Sequence, residues 1–336
     1  MSAKQSQIRL GLVGLGGHAR ENLLPTLRLV DCISLSGISS RNVDNLNAVS
    51  LAYNIPFKTM DWKQLVNKEI IDGVVVSATP DVHREVFHYA AKRNVHVFCE
   101  KPPAPDLTSL QLICEKADDG KIISFVDYNF RFSEGFKLLS DVLEESGSIE
   151  CIKIRFLSAK PREPLWGMKT VARSYIYAVA IHAIELAISI IGEVKEITAA
   201  ATGFDGQRIA INASVHSING KVAFLELGNY SNRFDCRIEA ITQEGTVGVL
   251  SGLRQLQIFN SKSFLDQKCR FSGKEVGNFT VSDLKGGYSI GGYEGAIRNF
   301  CNSITENSRS LSDVKLSLPV YQVAEQILKH MKEDNL

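Results

Sequence analysis

"IRLGLVGLGGHARENLLPTLRLV", residues 8–30, decides the fold. Its first six residues form a short apolar run, glycines follow at 14, 16 and 17, and helical spacing of apolar residues then takes over. Strand, glycine turn and helix in that order open a parallel α/β sheet. Gly14, Gly16 and Ala19 fit G-x-G-x-x-A. In that pattern the first glycine permits the tight turn, the second lets a pyrophosphate approach the backbone, and the small third residue lets helix and strand pack closely. Gly17 and His18 lie inside the same loop and join the candidate cofactor-binding residues.

The pattern repeats outward from there. "ISLSGIS" (33–39) reads as a second strand and "RNVDNLNAVSLAYN" as a helix. "IDGVVVSATP" (71–80) is valine-rich enough for a strand buried on both faces. Asp81 is placed to cap the helix "VHREVFHYAAKRN", "VHVFCEKP" is the next strand, Asp106 caps a further helix to about Asp118, and "KIISFVDYN" (121–129) closes the series. Strands and helices alternating at this tempo predict a doubly wound Rossmann sheet over residues 1–128, with ligands bound at the carboxyl ends of its strands. NAD-binding domains usually carry an acidic residue at the end of the second strand. Here Ser39, Ser40 and Arg41 occupy that end, with no carboxylate before Asp44. A hydroxyl and a guanidinium can hold a 2′-phosphate that a carboxylate would repel, so NADP(H) is favoured over NAD(H).

Composition narrows the function classes. The chain has 336 residues, enough for two domains, and 38 basic against 37 acidic residues leave a net charge of +1. That balance argues against nucleic acid or an anionic membrane surface as a partner. No apolar stretch reads as a membrane span, and "MSAKQSQ" lacks the apolar core of a signal peptide, so a cytoplasmic protein is expected. Seven scattered cysteines (32, 99, 114, 151, 236, 269, 301) without a CxxC fit reduced thiols rather than a disulfide frame or a metal site.

"VFCEKPPAP" (97–105) places Lys101 after a buried strand and clamps it between Glu100 and Pro102. Proline restricts the residue before it, so this ammonium is held in one place, where it can hydrogen-bond a reacting oxygen. Taken together, "GLVGLGGHA", "SATPDVH" (77–83), "CEKP" (99–102) and "YNFRF" (128–132) resemble the glucose-fructose oxidoreductase / inositol dehydrogenase / MocA superfamily over the first 132 residues. The resemblance implies that Lys101 reaches nicotinamide and substrate together as a catalytic residue. It implies that Thr79, Pro80 and His83 line the cofactor and that Glu100 packs near the nicotinamide. Asn129, counted with the cofactor residues, and Arg131 then begin the substrate side.

From residue 129 to 336 the pattern changes to a substrate-binding and oligomerisation domain of α+β type. After the helical "SEGFKLLSDVLEE" (133–145), the segments "IECIKIRFLS", "EITAAAT", "RIAINASVHS", "VAFLELGNYS", "DCRIEAITQEG" and "VGVLSG" read as strands of a mostly antiparallel open sheet. "YEGAIRNFCNSITEN" and a segment starting near Pro319 read as amphipathic helices. One broad sheet face is left uncovered, and the resemblance implies that it is buried in a homodimer or homotetramer.

The helix "YIYAVAIHAIELAISII" (175–191) is apolar nearly all round, with His182, Glu185 and Ser189 on one stripe and Ala178 one turn before them. The family resemblance implies an Asp-x-x-x-His pair here with an acid three residues later; His182 and Glu185 match, and Ala178 stands in place of the aspartate. Without that carboxylate, oxidation of a simple sugar is less favoured, whereas reduction of a ketone or imine asks chiefly for a hydride and one proton donor, Lys101 or His182. Basic residues before the helix (Lys160, Arg162, Lys169, Arg173) include Arg173 as a candidate contact, beside Lys101, Arg131 and His182, to a small-molecule substrate. The function expected is an NAD(P)-dependent oxidoreductase of a modified sugar, cyclitol or related hydroxy or keto compound. The alternatives are a biosynthetic NADPH-dependent ketone or imine reductase and a non-catalytic cofactor-binding or regulatory homologue.

Overall fold

The computed structural model describes residues 7–260, 275–282 and 286–331. Cys269 lies outside them. The chain forms two units: the first runs to Asn129 and takes up Gly292–Leu318, and the second comprises Phe130–Gly291 with the chain from Pro319 onward.

The first unit is a six-stranded, all-parallel sheet with order β3-β2-β1-β4-β5-β6. The strands are β1 (Ile8–Val13), β2 (Ile33–Ser39), β3 (Phe57–Thr59), β4 (Gly73–Val76), β5 (His96–Glu100) and β6 (Ser124–Asp127). Val74, Val75 and Val76 are fully buried, as expected for a strand covered on both faces. A π-helical turn, Ala19–Leu23, leads into α1 (Leu24–Leu29); α2 (Val43–Tyr53), α3 (Trp62–Leu65), α4 (Pro80–Ala91) and α5 (Leu107–Asp119) form the other crossovers. Asp106 caps α5 as expected, its carboxylate accepting from Ser109 N at 2.7 Å. Asp81 does not cap α4: the helix begins at Pro80 with Thr79 as its cap, because proline at the first helical position has no N–H to satisfy. Strand order reverses between β1 and β4, so the ligand crevice lies at the carboxyl ends of these two strands.

The sequence reading gave everything after residue 128 to the second domain, but residues 292–318 return to the first unit. They cover the otherwise open edge of β6. Val126 N donates to Ser312 O at 2.8 Å, and the hydroxyls of Ser310 and Ser312 donate to the Ser124 and Val126 carbonyls at 2.6 Å. Phe300, from the helix Tyr293–Glu306, packs edge-on against the stacked pair Phe98 and Phe125.

The second unit opens with α6 (Glu134–Glu145), capped by Ser133. Its sheet has eight strands in the order β14-β13-β12-β11-β7-β10-β9-β8, antiparallel except where β7 pairs with β10. They are β7 (Ile149–Leu157), β8 (Val194–Gly203), β9 (Ile209–Ser217), β10 (Val222–Gly228), β11 (Asp235–Thr242), β12 (Val247–Ser251), β13 (Gln255–Asn260) and β14 (Glu275–Thr280). The last two extend the sheet past the strands read from sequence. Packed on β7 and β10 is one continuous helix: α7 (Val171–Tyr175), a π-helical turn (Ile176–Ala180) and α8 (Ile181–Ile191). Contrary to the sequence reading, Val171–Ile191 is long and apolar enough to cross a membrane, yet most of it is buried inside the protein. Tyr175 pins it to the sheet, donating to Phe156 O and accepting from Gly228 N, both at 2.7 Å.

Candidate active site

Gly14 and Gly16 do different jobs. Gly14 has φ +93°, and a Cβ there would lie 2.0 Å from the carbonyl oxygen of Ser77, so the turn after β1 closes against the end of β4 only with glycine. Gly14 N also donates to Ser39 O at 2.9 Å, tying the turn to the end of β2. By contrast, a Cβ on Gly16 would meet nothing within 4 Å, and one on Gly17 only Glu21 Oε1 at 3.7 Å. Both are exposed. Open space over a glycine backbone at a sheet switch point is the cradle a pyrophosphate needs, and the buried Ala19 seats the helix behind it. These residues fit a dinucleotide.

At the end of β2, Ser39 is buried. Ser40 N donates to Thr59 O, and its hydroxyl accepts from Asn42 N at 3.2 Å, which leaves the hydroxyl hydrogen to donate. Arg41 is exposed, and Asp44 sits in the first turn of α2.

Around the E-K-P segment the first unit builds a network. His18 Nε2 meets Glu100 Oε1 at 2.6 Å, so a residue of the glycine loop is bonded to the end of β5. Its ring also lies edge-on to Tyr293, supplied by the returning segment. Glu100 is buried; burial alone would raise its pKa, but the His18 hydrogen bond and charge, with Lys101, hold it below the usual carboxylate value. Lys101 is partly exposed. His83 differs from the expectation of a cofactor contact. It is 1% exposed, Nδ1–H donates to Pro102 O at 3.0 Å, and Nε2 accepts from Ala78 N at 3.3 Å. Burial pushes it down to about 4, so it is a neutral clamp joining the 77–79 loop to the residue after Lys101. Thr79 is exposed, Pro80 buried, and Asn129 buried at the end of the unit.

In the second unit, His182 is 6% exposed and stacks on Phe130, ring centroids 4.5 Å apart, with Phe156 and Phe234 completing an aromatic cluster. Arg131 Nη1 donates to Glu185 Oε1 at 3.2 Å, while Oε2 is buried without a hydrogen bond. Burial lifts Glu185 to about 7, with Arg131 offsetting only part of the rise. Ser189, on the same stripe, has an internal partner, its hydroxyl donating to Leu186 O within the helix. One expectation fails here. Arg173 is committed to a bidentate pair with Glu325, at 2.8 and 2.9 Å, and Glu325 also accepts from Tyr177. Satisfying a half-buried carboxylate between α7 and the helix Ser317–His330 is a structural duty for that guanidinium.

Residues 8–128 match the model of the GFO_IDH_MocA oxidoreductase family, whose domain is an NAD-binding Rossmann fold. Over these residues the chain carries that family's NAD-binding domain. Over 253 residues, 71% of this chain and 74% of the relative, it is 27% identical to the myo-inositol 2-dehydrogenase of Thermotoga maritima. The solved structure of a dehydrogenase from Chromobacterium violaceum superposes with a TM-score of 0.91 at 26% identity, covering 98% of this chain and 97% of that one. A levoglucosan dehydrogenase in complex with NADH shares the fold, with a TM-score of 0.80 at 17% identity and 98% of each chain covered. With that domain the chain is an oxidoreductase with an NAD-binding Rossmann fold. Lys101 and His182 belong to different units, and the acids Asp127 and Glu325 escaped the sequence reading. For Asp127 there was a signal: a carboxylate at the end of the short strand "SFVD", directly after two apolar residues.

Proposed function

We propose that this oxidoreductase moves a hydride between NADP(H), used in preference to NAD(H), and a modified sugar, cyclitol or related hydroxy or keto compound. When bound, the nicotinamide supplies the hydride and takes it back. Lys101 gives the heteroatom its proton in the reducing direction and receives it in the oxidising one. The observation that carries this reading is the way Lys101 is held: Glu100, bonded to the glycine loop through His18, precedes it, and Pro102, bonded to His83, follows it. A cation fixed from both sides at a strand's carboxyl end suits proton donation to developing negative charge. His182, stacked on Phe130, is the second hydrogen-bonding group toward substrate, and Arg131 joins it on the substrate side. The Ala178 methyl in place of a carboxylate favours the narrower reading of a ketone or imine reductase.

For the cofactor, the support is a β2 end of two serines and an exposed arginine with no carboxylate before Asp44. Charge-assisted contacts to a 2′-phosphate are worth about 1 to 3 kcal/mol of discrimination. Nicotinamide fluorescence titrations test it: NADPH binds more tightly than NADH, and Ser40→Asp reverses the order. Equal affinities, or tighter NADH, defeat it. Turnover of a panel of ketones, imines, sugars and cyclitols then tests the chemistry, with Lys101→Ala expected to lose about 100-fold in kcat while keeping cofactor affinity. The exposed face of β7, β9, β10 and β11, where Phe224 stands among Lys153, Arg155, Glu226 and Glu239, supports a second copy as partner in a cytosolic homo-oligomer, to be read by light scattering.

A further inference from the structure

One acid of the first unit has no part in the reading above. Asp127 closes β6 with its side chain fully buried and both oxygens without a hydrogen-bond donor. Its partner across the parallel ladder is Glu100, the buried acid immediately before Lys101. An ionised carboxylate sealed from water without a donor is strongly disfavoured. Two carboxyls side by side in such a place hydrogen-bond only if one keeps its proton. Their surroundings decide which one does: Glu100 has the His18 donor at 2.6 Å, and Asp127 has none.

The remaining titratable neighbours do not change that balance. Burial keeps the Cys99 thiol and the Tyr293 hydroxyl protonated, and the two acids push them the same way. His83 is neutral, its ring nitrogens taken by Ala78 and Pro102. Lys101 is the cation that both acids feel. Burial first, and the neighbouring Glu100 charge second, drive Asp127 far above the usual carboxylate range.

We propose that Asp127 is a positioning residue for Lys101: it shares one proton with Glu100 in a buried carboxyl–carboxylate pair, so that the strand end beside Lys101 carries a single negative charge. The inference rests on the reading of Lys101 as the proton donor. A second charge would bind the ammonium proton more tightly and make a poorer acid; no charge would leave the cation without its counter-ion.

The pH dependence of trinitrobenzenesulfonate labelling, followed at the Lys101 peptide by mass spectrometry, measures this without any substrate. Asp127→Asn leaves the labelling midpoint within about 0.3 pH unit, because the amide replaces a neutral acid and still donates to Glu100, whereas Glu100→Gln lowers it by about 1 pH unit. The wild-type protein at neutral pH shows a protonated-carboxyl infrared band that shifts on ¹³C labelling of aspartate and is missing from Asp127→Asn. Equal falls in the two variants, no fall in either, or no such band in the wild type overturns the proposal. A Lys101→Ala enzyme with normal turnover instead defeats the reading of Lys101 as donor, and the positioning role with it, while the labelling and infrared results still report whether the acid pair exists.

Discussion

Replacing Glu185 with glutamine turns the burial of this acid into a measurable slope. Its carboxyl is lifted from 4.5 to about 7, first by burial, with Arg131 returning part of the cost and Oε2 left without a hydrogen bond. A carboxyl with a raised folded-state pKa binds its proton more tightly folded than unfolded. The stabilisation is therefore fully present below the unfolded value near 4.5 and is lost as pH climbs through about 7. At about 1.4 kcal/mol for each pH unit, the ionised side chain costs the folded protein about 3 kcal/mol on the alkaline side. Glutamine has the same size and no charge to bury. The attraction of Arg131 is already contained in that value, and about 1 kcal/mol of the loss has occurred by about pH 5, above the unfolded value, so about 2 kcal/mol opens between there and about pH 8.5. Urea unfolding followed by tryptophan fluorescence should give wild type and Glu185→Gln similar stabilities at about pH 5. The variant should then draw ahead to about 2 kcal/mol by about pH 8.5. A difference that does not change with pH, or a variant less stable than wild type at the alkaline end, would show that Glu185 is not the strained acid inferred from its surroundings. Should the slope appear, the protein carries a destabilising carboxylate near its working pH, as functional sites often do.

Two further substitutions test the geometry. Gly14→Ala forces a Cβ onto Ser77 O at an unfavourable φ and should lower both the melting temperature and NADPH affinity, whereas Gly16→Ala, facing open space, should leave melting unchanged while weakening NADPH at least tenfold; fluorescence titration and calorimetry separate the two. His83→Leu keeps nearly the same volume but strands Ala78 N and Pro102 O, which should cost about 2 to 4 kcal/mol in denaturant unfolding.

Much of the first unit was legible because its information is local. A strand, a glycine turn and a helix must follow one another in the chain, and the E-K-P lysine is fixed by the prolines next to it. The reading lost its footing wherever a side chain answers to something distant. "SATPDVH" marks His83 as part of a motif, but whether it faces a ligand or the protein depends on Pro102, 19 residues on. Arg173 looks like any exposed basic residue until Glu325, 152 residues away, is set beside it. Residues 292–318 have an amphipathic pattern that suits either unit. What assigns them is the unpaired edge of β6, whose backbone groups need Ser310 and Ser312, and an edge strand cannot be told from a central one before the sheet is assembled.

The long helix of the second unit shows the same division at the level of chemistry. Its apolar run predicts burial, and its polar stripe points to His182 and Glu185, but the stripe alone does not say what orients the imidazole. The resemblance supplied an aspartate for that task, and Ala178 takes it away. In the structure Phe130 stacks on the ring, the centroids 4.5 Å apart. The acid that remains, Glu185, is turned to Arg131 and lifted to about 7 by burial. Negative charge on this helix is therefore partnered or protonated near neutral pH, and no carboxylate at position 178 is left to draw a proton from a substrate hydroxyl. On the proposed reading, proton exchange with the substrate therefore falls to Lys101 and His182 in either direction of hydride transfer.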